Sequence, residues 1–281
     1  MIDFFHDWAD NPFLWSGLWA GLLAGLACGI TGPYVITKRI VFLAGAIAHI
    51  AVGGIGASVF LAHKFPQLCG SLQPIQGATA VAIISAIVVG LVNEYWAERS
   101  DTIIGALWAI GMAVGLLLVK FTPGYQGELM SYLFGNLAFV SQRQLQWIGF
   151  LDVVIILIVL LFHKQFIAVC LDQEQARLQG VPVTFINLLL LSVVALTVIC
   201  LTSMVGLILV IALLSLPAAT VARFVNGMLA MMVWSTILSC FLTTVPRILV
   251  YGTPVNPESA IVIAAAALYL MSLFLAGRTA R

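Results

Sequence analysis

Runs of about 20 apolar residues, each closed off by a small cluster of charge, recur from end to end of this 281-residue chain. About 20 such residues carry a helix across the hydrocarbon layer of a bilayer. Composition agrees: 62% of the residues are hydrophobic and 8% charged, against roughly 25% charged in an ordinary soluble domain. No soluble fold could hide that much apolar surface. The expectation is an all-α fold, a polytopic transmembrane helix bundle of about eight or nine spans, forming one membrane domain over residues 1–281.

The charge clusters delimit the spans. They run from Phe13 to Ile30, Ile40 to Ala62, Gln76 to Val92, Thr102 to Val119 and Trp147 to Phe162. Leu178 to Ala222 carries no charge and is too long for one crossing, so it reads as two, broken near Ser203 to Gly206. Phe224 to Val245 and Ser259 to Ala276 complete the set. With the N-terminus outside, Lys38, Arg39, Arg99, Lys164, Arg177, Arg223, Arg278 and Arg281 fall in the cytoplasm, and Lys64, Lys120, Arg143 and Arg247 outside. The positive-inside bias favours this orientation. No basic residue precedes the first apolar run, so that span reads as retained and not as a cleaved signal.

Net charge +1 and the lack of a Lys/Arg run set nucleic acid aside as a partner. The five cysteines are scattered and form neither a disulfide framework nor a CxxC pair. A membrane-embedded enzyme would need converging catalytic groups; there is no H-E-x-x-H, no G-x-S-x-G and no acid pair on one wall, so the chain reads as a non-enzyme. A gradient-driven secondary transporter of a small solute would use several acids at membrane depth, where Asp152 stands alone inside a span.

Gly17, Gly21, Gly25 and Gly29 recur every fourth residue and form a smooth ridge on the first span, the pattern by which membrane helices approach closely. Gly53, Gly54 and Gly56 on the second span either allow a close crossing or line a pore. His49 lies within that span; an ionisable group at such depth normally faces a bundle interior or a wet pathway, and imidazole suits zinc, iron or manganese-like ions. The alternative is a neutral histidine bonded to a neighbouring helix. Asp101 either caps its helix or joins a pathway. Asp152, about five residues after Trp147, either reaches the outer interface and stays solvated or takes a pathway or inter-helix role. His6 with Asp3, Asp7 and Asp10 has helical spacing but reads as a solvated terminus.

Residues 163–183 form a connection on the cytoplasmic side. In Phe166 to Gly180, Leu171, Ala176 and Leu178 can share one side of a short helix while Asp172, Glu174 and Arg177 stay wet, and Gly180 and Pro182 end it. Leu171, Asp172, Glu174, Ala176 and Gly180 also match an F-D-x-E-x-A-x-x-x-G pattern. This segment, with Gly127 to Asn136, Asp101 to Gly105 and Val205 to Thr220, resembles the membrane subunits of ATP-binding-cassette importers for zinc, manganese or iron. The resemblance spans about Gly17 to Ala276.

The resemblance implies a permease in a bacterial or archaeal cytoplasmic membrane that pairs with a second copy. It would dock an ATP-binding subunit through residues 163–183 and receive metal from an extracytoplasmic substrate-binding protein. The metal is cargo, with no tightly bound cofactor expected. No G-x-x-x-x-G-K-[ST] loop occurs, so phosphates would be cradled by the partner. Glu128 and Asn136 in the outer connection could meet cargo or the binding protein. One departure stands out: where the family carries an Asp four residues before the histidine, this chain has Gly45. His49 then needs ligands from elsewhere, or the permease carries a metal chelate.

Overall fold

The computed structural model describes residues 12–95, 100–122 and 140–279, and side chains within them except at 12, 13, 100, 101, 203, 204, 207, 208 and 276–279. Among the described residues every regular element is a helix. These are α1 (Pro12–Thr37), α2 (Val41–Lys64), α3 (Pro66–Cys69), α4 (Pro74–Tyr95), α5 (Ser100–Lys120), α6 (Gln142–Leu171), α7 (Gln173–Leu178), α8 (Val183–Val221), α9 (Met228–Val250) and α10 (Pro257–Thr279). Eight carry a stretch long and apolar enough to cross a membrane, and Leu209–Val221 adds a shorter apolar helix. The expected all-helical bundle is the observed one.

α8 is where the count of spans is decided. As a straight helix its Asn187 and Val221 would stand about 51 Å apart. Yet Asn187 accepts a hydrogen bond from Lys38, and Ile36 packs on the cluster of Ala218, Val221 and Met231. Both ends of α8 therefore reach the same end of α1. The chain turns at Gly206, whose φ of 76° and ψ of 168° are non-helical, in the left-handed half of the map that glycine enters without steric cost. The break expected between Ser203 and Gly206 falls at its last residue, and beyond it the second half of α8 returns toward the end from which the first half set out.

α2 is the buried centre of one half of the bundle, held between α4 and α5. Glycines stand where the three come closest. A Cβ on Gly53 would lie 2.8 Å from the Gly111 carbonyl oxygen, and one on Gly56 would crowd Gly115. A Cβ on Gly54 would meet the Gly77 carbonyl. The cluster Gly53, Gly54 and Gly56 is thus covered by helix backbone on two sides, the close approach that small residues permit.

In the other half, α1 and α9 run antiparallel. Gly17, Gly21, Gly25 and Gly29 face Arg247, Thr243, Cys240 and Thr236 in turn, so the glycine ridge lies along a row of larger, polar α9 side chains. Arg247, counted above as an outer surface charge, is 6% exposed, its guanidinium filling the space over Gly17. Burial of the guanidinium within the α1–α9 seam removes it from the simple count of surface cations.

Several helix limits differ from those read above, and three of them are informative. α1 continues past Ile30 to Thr37, carrying Pro33 inside it. α6 continues past Phe162 to Leu171: His163 bonds the Tyr34 hydroxyl at 2.5 Å and Phe166 stacks edge-on to the Tyr34 ring, so the charged end of the helix is packed against α1. α9 starts at Met228 and not at Phe224, because Gly227 with φ 104° ends the preceding turn.

Candidate functional site

Two regions hold the residues singled out by sequence. The first is the end of the bundle around α7. Asp172 is the N-cap of α7, its Oδ1 accepting from the Glu174 and Gln175 amides at 2.9 and 3.1 Å. Gly180 ends the turn at φ 78°, with nothing within 4 Å of where a Cβ would stand. Ala176 is 1% exposed and seats α7 on the bundle's own core. Leu171 and Leu178, expected to share that buried side, are instead 72% and 89% exposed. Leu171 is the last residue of α6 and Leu178 the last of α7, so the three do not share one helix face and only Ala176 turns inward. Glu174 is exposed.

Beside α7 lies a cavity of about 460 Å³ lined by Lys38, Arg39, Asn93, Gln173 and Asn187 among others. Lys38 spans its wall to reach Asn187. Burial pushes the Lys38 ammonium below the ordinary lysine range, while the neighbouring Cys170 and Glu94 act in the opposite direction.

The second region surrounds His49, about 12 Å along α2 from its Lys38 end. Its Nδ1 lies 2.9 Å from the carbonyl of Gly45, and its ring stacks on Trp108 of α5 with centroids 4.3 Å apart and planes tilted by 32°. The expected neighbouring-helix partner is thus replaced by a carbonyl of His49's own helix. Nε2 has no hydrogen bond among the described residues, and the side chain is half-buried. Gly45 is covered by Ile211 from the second half of α8, whose Cδ1 would be 3.1 Å from a Cβ there.

Of the two candidate acids, only Asp152 has a described side chain. Asp152 is 2% exposed on the face of α6 that also buries Ile148, Leu151 and Ile155, and neither carboxylate oxygen has a hydrogen-bond partner. The reading in which it reaches a solvated interface is therefore corrected: five residues from Trp147 sets its depth, but the helix turns it inward. The side chain of Asp101, the Gly127 to Asn136 stretch with Glu128 and Asn136, and the N-terminal Asp3, His6, Asp7 and Asp10 lie outside the described residues.

Comparison with known proteins covers nearly the whole chain. The model of the ABC 3 transport family matches residues 10–276. The chain belongs to this family. A "probable metal transport system membrane protein" of Chlamydia muridarum is 36% identical over 94% of this chain and 89% of its own length. The manganese transport system membrane protein MntC of Listeria monocytogenes is 27% identical over 79% of this chain and 75% of its own length. PsaBC from Streptococcus pneumoniae, solved in complex with Fab, superposes with a TM-score of 0.84 at 26% identity, covering 97% of this chain and 95% of that one.

Within one copy of this ABC 3 chain, no three His, Cys, Asp or Glu side chains among the described residues gather in a geometry that could hold a metal ion. His49 can therefore offer one nitrogen, and any further donors come from outside this set. Asp152 allows a direct check of its own role. A buried acceptor without a partner costs about 1–3 kcal/mol, and more if charged, and a charge buried unpaired costs more than a pair. Asp152→Leu is expected to raise the thermal midpoint of the detergent-purified ABC 3 protein while leaving uptake unchanged. A fall in uptake at unchanged or higher stability would move Asp152 into the transport pathway.

Proposed function

We propose that this chain is the membrane-spanning permease of an importer for divalent transition-metal ions, manganese or zinc, driven by ATP hydrolysis on a separate subunit. The observation that carries the reading is the match to PsaBC over 97% of the chain at a TM-score of 0.84. The manganese relative in Listeria and the high-affinity zinc uptake protein ZnuB of Haemophilus influenzae, 24% identical over 86% of this chain, support a metal as cargo. A second copy would complete the pathway. The α7 end is the cytoplasmic one on the positive-inside bias, and an extracytoplasmic binding protein delivers metal to the opposite end.

The exposure of Leu171 and Leu178 supports α7 as the docking element for the ATPase, since apolar side chains at 72% and 89% exposure on a polar end favour a covering partner. Leu178→Asp is expected to leave the fold intact and cut ATPase binding by about tenfold, the loss of one good apolar contact in an interface. Ala176→Glu is expected to reduce folded yield first, because it drives a charge under the helix. Co-purification of the ATPase with each variant, at matched folded protein, separates the two. The reading as a whole is tested by uptake in vesicles carrying permease, ATPase and binding protein, scanned across zinc, manganese and iron. ATP-dependent uptake of one of them is expected; uptake driven by an ion gradient alone would overturn the reading.

A further inference from the structure

At the α7 end one carboxylate ties three elements together. Arg177, on the exposed side of α7, donates from Nη2 to Oε1 of Glu94, and Thr184 Oγ1 in the first turn of α8 donates to the same oxygen at 3.0 Å. Glu94 is the penultimate residue of α4. Its side chain is 15% exposed, against 50% for Arg177. An ion pair between two free surface side chains contributes little. Here the acceptor is shielded and takes two donors from separate elements, so it fixes α7 and α8 relative to α4. α7 itself packs on α6 and α8, and α4 is not among its main packed neighbours. The carboxylate is thus a side-chain link between α7 and α4, which share no broad face, whereas α8 packs along α4 directly.

From α4 the path to His49 is short and stiff. Gly77 of α4 meets Gly54 of α2 backbone to backbone, with the Ser58 side chain beside it, so the two helices are in direct backbone contact at this crossing. α2 in turn carries His49, five residues before Gly54. α5, which stacks Trp108 on the His49 ring, meets the same helix through Gly111 and Gly115. α4, α2 and α5 form one block, and Glu94 is its handle at the α7 end. Close-packed interiors transmit displacement instead of damping it.

Resting on the reading of this chain as an ATP-driven permease, we propose that Glu94 is a positioning residue that passes movement of α7 to the α4–α2–α5 block bearing His49. Loss of the tie leaves α7 free to follow the ATPase while the block lags behind. The consequence is hydrolysis without matching transport, which a purely structural role would not produce.

The test is the number of metal ions moved per ATP hydrolysed, with manganese and zinc as probes, in the reconstituted importer. Basal hydrolysis and complex assembly are measured on the same samples. Glu94→Gln and Arg177→Gln are each expected to lower that ratio fivefold or more, with assembly and basal hydrolysis within twofold of wild type for Glu94→Gln, which lies outside the docking helix. Arg177→Lys, which keeps the charge and one donor, is expected to retain more than half of it. The double change is expected to be no worse than either single one, because both break the same link. A wild-type ratio in Glu94→Gln, or losses that multiply in the double variant, would overturn the proposal. Should Glu94→Gln fail to fold, Arg177→Gln gives the same reading from a half-exposed position, and a wild-type ratio there overturns the proposal equally. Absence of ATP-dependent uptake by the wild-type importer is a separate outcome, which removes the permease reading beneath it.

Discussion

Uptake by a His49→Ala permease is expected to fall at least tenfold while the folded yield stays near that of the wild type. The physical case lies in what the substitution leaves behind. His49 Nδ1 bonds the Gly45 carbonyl, but in a helix that oxygen already accepts from the backbone N–H four residues on, so no buried group is orphaned when the imidazole goes. What remains is the stacking on Trp108, of the order of 1 kcal/mol for an aromatic pair. A fold carried by an extensive buried glycine seam tolerates that loss. Uptake normalised to folded protein is the measurement, and wild-type uptake by well-folded His49→Ala would take His49 out of the pathway. Gly45→Asp is expected to behave differently here from a simple addition of a ligand. Its Cβ would point at Ile211, and a carboxylate at membrane depth costs about 2.5–3.5 kcal/mol unless hydrated or paired. Folded yield should drop. Normal yield together with tighter equilibrium manganese or zinc binding would mean that water reaches this face.

The largest effect on stability is expected from Gly29→Val. A Cβ at Gly29 would sit on the backbone of Thr236, and backbone cannot rotate away as a side chain can. Overpacking of this kind costs about 1–3 kcal/mol and sometimes more, enough to remove most folded protein from a marginally stable chain. Gly105→Ala and Gly149→Ala are the matched controls. Nothing lies within 4 Å of a Cβ at either position, so each should stabilise its helix by roughly 0.5–1 kcal/mol. Thermal midpoints of the three variants in detergent decide the matter; equal midpoints for Gly29→Val and wild type would mean that α1 and α9 do not meet as described.

The spans were legible because charge punctuates them: Lys38 and Arg39, Lys64, Lys120 and Arg223 all lie at helix ends. The break in α8 was legible from length alone, since 45 uncharged residues outrun a bilayer. Which side of a helix a residue occupies was not. Asp152 and Leu178 show this from opposite directions, an acid turned fully inward and a leucine left 89% exposed. Hydropathy gives depth along the helix axis, and rotation about it is set by neighbours distant in the sequence. The same limit hid Glu94. As one acid near the end of an apolar run it looks like any interfacial charge, and only the fold brings Arg177 and Thr184 to it. His49 was visible because it interrupts a buried helix, but its Gly45 and Trp108 partners follow from helical spacing in one case and tertiary packing in the other.

The seam between α1 and α9 also sets a timetable for synthesis. Its two sides, residues 17–29 and 236–247, are separated by more than 200 residues of chain. At about 5–20 residues per second, roughly 10–40 seconds pass between the emergence of the glycine ridge and that of its mate. During that interval Gly17, Gly21, Gly25 and Gly29 stand ready for any neighbouring helix with a small or polar face, including the α1 of another nascent copy. α8 meets α1 at Gly32 and Leu214, beyond the ridge, so the covering of the ridge itself waits for α9.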